Sequence, residues 1–85
     1  MESYKEILRD NLHDWIEANG LKQTWVAEKC GISPAGLNKW LKQGAFPSKS
    51  EYLNDIAELI GVPVFILFIR DGVENREMIM KAISV

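Results

Sequence analysis

Cysteine is nearly absent from this chain. A single one, Cys30, excludes an internal disulfide and fits a reducing compartment. Histidine is as scarce. With His13 and Cys30 as the only residues of their kinds, a metal site would need carboxylates for its remaining ligands, so no metal or other cofactor is expected. Long apolar runs are missing too. A bilayer span takes about 20 such residues, whereas the longest run, Val62 to Ile69, is interrupted by Pro63. No membrane partner is expected. The opening MESYKEILRD mixes acids with bases and has no signal-peptide core, which reads as cytoplasmic. Repeats, low-complexity tracts and linkers are lacking as well.

What is present is globular. Of the 85 residues, 47% are apolar and 26% charged, which suits one small folded domain. The net charge of −2 argues against a polyanionic partner, but its distribution argues for one. Residues 1–21 carry −3, residues 22–49 carry +4 and residues 50–85 carry −3. The basic middle holds Lys22, Lys29, Lys39, Lys42 and Lys49 against Glu28 alone. Such asymmetry marks a surface that faces a polyanion, although a solvated lysine face gives the same pattern.

Apolar spacing and punctuation predict helices joined by short turns, and hence an all-α domain of four to five helices. The first covers about Tyr4 to Ala18, with Tyr4, Ile7, Leu8, Leu12, Trp15 and Ile16 on one face, a Ser3–Glu6 capping box and an Asn19-Gly20 stop. The second, about Gln23 to Lys29, turns Trp25 or Val26, Ala27 and Cys30 inward and is followed by Gly31. The third covers about Pro34 to Lys42, capped by Ser33, with Leu37, Trp40 and Leu41 inward. The fourth, about Ser50 to Ile60, has a Ser48–Glu51 capping box and a stripe of Tyr52, Leu53, Ile56, Ala57 and Ile60. A fifth, Pro63 to about Ile69, is apolar almost all round and should be buried, though its composition equally suits a strand. In the tail, Met78, Ile79, Ala82 and Ile83 have helical spacing over a short length.

The informative stretch is Gln23 to Trp40, QTWVAEKCGISPAGLNKW. Two short helices meet across a turn centred on Gly31, which requires tolerance of positive φ. Ala27 supplies the small side chain for a close crossing. Ile32, Leu37 and Trp40 hold the second helix against the first and leave its other side projecting. This is the specification of a helix-turn-helix.

The stretch resembles the phage-repressor, Cro/C1-type (xenobiotic-response-element) helix-turn-helix family. The resemblance rests on Gln23, Val26-Ala27, Gly31-Ile32-Ser33, Leu37 and Trp40. It continues through Gly44 and Pro47 and through Leu53, Ile56-Ala57 and Leu59-Ile60-Gly61-Val62, about residues 8–69 in all. It implies a lambda-repressor-like fold, with residues 1–70 as the DNA-binding domain and residues 71–85 as a tail that is a candidate dimerisation segment. It implies sequence-specific binding of double-stranded DNA and transcriptional regulation, as a phage or bacterial repressor acting as a homodimer. The DNA-facing set is Lys22, Gln23, Thr24, Ser33, Pro34, Ala35, Gly36, Asn38, Lys39, Lys42, Ser48 and Lys49. Gln23 resembles a phosphate clamp, and Ser33 to Gly36 the first turn of the recognition helix. Asn38 and Lys39 reach bases or phosphates, and Lys42, Ser48 and Lys49 resemble backbone contacts.

Two departures matter. Pro34-Ala35-Gly36 offers no side-chain hydrogen bonds, so readout there reduces to shape, and Gly36 weakens the helix by about 1 kcal/mol relative to alanine. Lys22 stands where the family places a capping Ser or Thr, exchanging a cap for a phosphate-seeking charge. Elsewhere the plainer readings hold. His13 is a surface residue, Cys30 a small core residue, and Trp15 and Trp40 core. Trp25 is either an inward residue of the second helix or exposed, beside the DNA surface or at a partner interface. The acids of the first helix form a solvated face. Glu6, Asp10 and Asp14 stand one turn apart without a cleft or nucleophile, so no enzyme is expected. The alternative function is a protein-binding module on the same scaffold, an antirepressor or anti-activator, or an antitoxin. Its partner would be gripped through the C-terminal apolar segments Val64–Ile69 and Met78–Val85.

Overall fold

A helix ends cleanly when its last carbonyls find donors, and glycine in the left-handed region provides them. In the computed structural model, which describes residues 3–43 and 51–84, that device sets the architecture. The described residues form α1 (Tyr4–Ala18), α2 (Gln23–Cys30), α3 (Pro34–Gln43), α4 (Glu51–Ile60), a 3-10 helix (Val64–Phe68) and α5 (Arg76–Ile83). Among them the chain is entirely helical. No helix there is long and apolar enough to cross a membrane.

Gly31 closes α2 at φ 69°. Its N–H donates to Glu28 O, and the Ile32 N–H reaches back to Ala27 O at 2.9 Å. The paired bonds reverse the chain and turn Ile32 against the core. α1 ends the same way at Gly20-Leu21, and α4 at Gly61-Val62, so an apolar residue follows each stop and packs inward.

α1, α2, α3 and α4 enclose one core. Leu8, Leu12 and Ile16 of α1 meet Val26, Ala27 and Cys30 of α2, Leu37, Trp40 and Leu41 of α3, and Ile56 and Ala57 of α4. Burying side chains of this size contributes about 1.5–3 kcal/mol each before ordering entropy. The 3-10 helix closes the open end between α1 and α4 with Ile66 and Leu67.

The structure corrects several expectations. Tyr4, read as inward, is 55% exposed. It stands in the first turn of α1, at the edge of the core, and its ring leans on Phe68 at 6.1 Å. α2 runs one residue further, to Cys30. The segment after Pro63 is neither a strand nor a full helix. It is one tight 3-10 coil that buries Ile66 and Leu67 but leaves Phe65 and Ile69 exposed. The tail is a helix, α5, that buries no residue and touches the core through Ile79. Asp10, placed on a solvated face, instead bonds Arg70 Nη1 at 2.8 Å and Arg9 Nε at 3.2 Å.

The residue that spacing overlooked is Asn11. It sits on the apolar stripe of α1 and is 4% exposed. Its Nδ2 donates to Leu67 O at 2.8 Å and Ile69 O at 2.9 Å, satisfying carbonyls at the end of the 3-10 helix. Beyond it, Asp71 takes a positive φ of 56°. Gly72 then lies so close to the backbone that a Cβ there would collide with Ile66 O.

Candidate nucleic-acid interface

The local chemistry that starts α3 also sets what it presents. Ser33 Oγ accepts the Gly36 N–H at 3.0 Å, an N-cap bond, and Pro34 follows in the first turn, where no N–H is needed. Leu37, Trp40 and Leu41 then face the core. At 3.6 residues per turn, Ala35, Asn38, Lys39 and Lys42 fall on the opposite side in one stripe. All four are exposed, and α3 contains no acid. Gln43 extends the stripe and was not among the expected residues, although its place four residues after Lys39 was the available signal.

The other expected residues fall at the two helix starts. Lys22 occupies the N-cap position of α2 with extended backbone and makes no side-chain capping bond. An ammonium has no acceptor to offer the free N–H groups of the first turn, so α2 begins without a side-chain cap. Gln23 and Thr24 follow, exposed, in the first turn of α2. Ser33, Pro34 and Ala35 are exposed at the start of α3, while Gly36 is half-buried beneath the Ser33 hydroxyl. The α2–α3 packing brings both groups onto adjoining elements. Ser48 and Lys49 lie outside the described residues.

Trp25 and Lys29 lie on the exposed side of α2. The Lys29 ammonium stands 5.6 Å from the Trp25 ring centroid, a cation–π distance. Trp25 is 40% exposed, so it is not a core residue. Cys30 is the opposite case. It is buried on the inner side of α2, and burial, helped by the Asp55 carboxylate, pushes its thiol up to about 11. Such a thiol carries almost no thiolate near neutral pH and behaves as a small apolar filler.

The acidic surfaces sit elsewhere. His13 lies between carboxylates of its own helix, Asp14 at 3.6 Å and Glu17 at 3.3 Å. Asp10 is drawn two ways. Burial raises its carboxyl, but the Arg70 and Arg9 guanidiniums outweigh that and hold it below the ordinary carboxylate range. Among the described residues, no group of three or more His, Cys, Asp or Glu side chains is placed to hold a metal ion.

Comparison of the chain with family models, with curated proteins and with solved structures finds no match. The functional reading therefore rests on its own residues.

Proposed function

We propose that this chain is a helix-turn-helix regulator of the Cro/C1 type that lays α3 in the major groove of double-stranded DNA. The observation that carries the reading is the outward stripe of α3: exposed Ala35, Asn38, Lys39 and Lys42 with no acid among them. In this reading, Lys22 and Gln23 clamp phosphates from the start of α2. Ala35 meets the groove by shape, and Asn38 and Lys39 reach base edges or phosphates. A homodimer binds half-sites one helical turn apart, joined through α5. Supporting that role for α5 are Met78, 65% exposed, and Ile83, 57% exposed, on a helix that buries none of its residues.

A second reading is favoured by the same helix and by the net charge of −2: a protein-binding module, with α5 gripping a protein partner and no DNA bound. Titration of random and operator duplexes across a salt series separates the two. A dimer using Lys22, Lys39 and Lys42 of each protomer neutralises about six phosphates, which predicts a slope of log K against log salt near −5. Lys39→Ala should remove two of those charges and reduce the slope by about 2. Absence of duplex binding at low salt by the dimer would leave the protein-binding module standing.

A further inference from the structure

Of the five asparagines in the chain, Asn19 alone is followed by glycine. That pairing carries a chemistry of its own. A backbone nitrogen can attack the side-chain carbonyl carbon of the residue before it, and a Cβ on the attacking residue screens that nitrogen. Gly20 has no Cβ, whereas Leu12, Lys39, Asp55 and Arg76 follow the other asparagines. Asp71-Gly72 is the matching carboxylate pair. The chain therefore holds two places where such a ring could close readily.

The fold treats them differently. Gly72 is buried, its N–H donates to Ile69 O at 2.8 Å, and a Cβ on it would collide with Ile66 O. Asp71 O accepts from Asn75 N at 3.0 Å and from Asn75 Nδ2 at 3.1 Å. This turn is wedged against the 3-10 helix, whose Ile66 and Leu67 are core residues. Asn19 and Gly20 are exposed, and nothing lies within 4 Å of the place a Gly20 Cβ would take. What holds them is local. Gly20 N–H donates to Glu17 O at 3.1 Å, and Trp15 O accepts from Asn19 N at 3.2 Å and from Asn19 Nδ2 at 2.8 Å. At an Asn19 ψ of 3° the Gly20 nitrogen eclipses the Asn19 nitrogen and not its Cβ, so the ring cannot close in place. Those bonds belong to the last turn of α1, and helix ends fray at little cost.

We propose that Asn19 is a site of spontaneous modification in the folded protein, reached when the last turn of α1 frays. The Gly20 nitrogen gives its proton to hydroxide and bonds to Asn19 Cγ. The Cγ–Nδ2 bond breaks and Nδ2 leaves as ammonia. Water then opens the cyclic imide at either carbonyl, leaving aspartate or its isomer linked through the side-chain carbon. Both products place a carboxylate at the negative end of the α1 dipole, in a turn that has no base and already holds Glu17. Both give up the Nδ2 bond to Trp15 O. The isomer also lengthens the backbone just before Leu21, which is tied to Ile16 O at 3.0 Å and packs on the core. Nothing in this depends on DNA binding.

The test holds the full chain at neutral pH in native buffer and, in parallel, in urea above its unfolding midpoint. Peptide mapping by mass spectrometry reads aspartate and isoaspartate at residue 19 and isoaspartate at residue 71. In buffer, Asn19 is expected to convert while Asp71 stays intact. Breaking the Gly20 and Asn19 Nδ2 bonds should slow the Asn19 reaction about ten- to a hundredfold relative to urea. Low urea should leave that rate nearly flat and raise the Asp71 rate steeply, since a frayed turn exposes little surface. Asn19→Asp, which carries the new charge without the longer backbone, should melt a few degrees below the parent by circular dichroism. The proposal is overturned by an Asn19 rate in buffer more than about a thousandfold below that in urea, by Asp71 being slowed in buffer no more than Asn19, by an Asn19 rate that climbs with urea as steeply as that of Asp71, or by Asn19→Asp melting at or above the parent.

Discussion

Gly36 looks like a flaw in a helix, and replacing it by alanine should on propensity alone stabilise α3 by about 1 kcal/mol. The structure says otherwise. A Cβ at residue 36 would stand 2.9 Å from Ser33 Oγ and 3.5 Å from Ile32 Cγ2. The first distance is too short, so the hydroxyl must swing away and give up its bond to the Gly36 N–H. A lost Ser cap costs about 1 kcal/mol. Gly36→Ala should therefore change stability by less than about 0.5 kcal/mol, the two effects cancelling. The cancellation disappears once the hydroxyl is gone. In a Ser33→Ala background, Gly36→Ala should recover the full propensity gain of about 1 kcal/mol, a Tm rise of about 4–8 °C for a domain of this size. Urea unfolding of the four proteins in the cycle gives the coupling directly, expected near 1 kcal/mol. Equal stabilisation by Gly36→Ala in both backgrounds would refute the steric argument and show that the cap tolerates a side chain at that position.

Three further outcomes are expected. Gly72→Ala drives a methyl group into Ile66 O and to 2.9 Å from Ile69 O, both backbone; it should destabilise by about 2 kcal/mol or more, read as a lower urea midpoint. The Asp10–Arg70 pair should make stability pH-dependent: because the folded carboxyl is held low, its contribution is present above the unfolded value of about 3.9 and is lost as pH falls through the folded one. With both side chains partly exposed, that contribution is about 0.5 kcal/mol, and Asp10→Asn should remove it from a stability–pH curve between pH 7 and about 3. Cys30, buried and with its thiol pushed up to about 11, should react with a disulfide reagent at pH 8 only through unfolding, so its labelling rate should rise with urea; fast labelling in buffer alone would contradict that burial.

The helices were legible because their apolar residues and stops are local signals. Gly20, Gly31 and Gly61 end three of them as their positions suggested, and Leu37, Trp40 and Leu41 face inward as their spacing required. What escaped was set by contacts between distant segments. Tyr4 has the right spacing but stands at the edge of the core, 55% exposed, with its ring against Phe68. Asn11 was legible only as a polar interruption of an apolar stripe, and its purpose appears once residues 67 and 69 are seen beside it. The Asp71-Gly72 turn is shaped by the Ile66 and Ile69 carbonyls, which composition cannot reveal. The candidate interface divides in the same way. Asn38, Lys39 and Lys42 are placed by the periodicity of α3 alone. Lys22 and Gln23 depend on how α2 packs on α3, and Ser48 and Lys49 lie outside the described residues.

The Asn11 bonds also bear on how the chain is made. They join α1 to residues 56 and 58 positions later, and closing a loop of that length costs about 4 kcal/mol of chain entropy. The α2–α3 corner needs no such closure and can form early, whereas α1 has its final partner only after residue 69 has left the ribosome. Until then α1 lacks the two bonds that fix it against the 3-10 helix, and the part of its apolar face that Ile66 and Leu67 will cover stays open to chaperones and proteases.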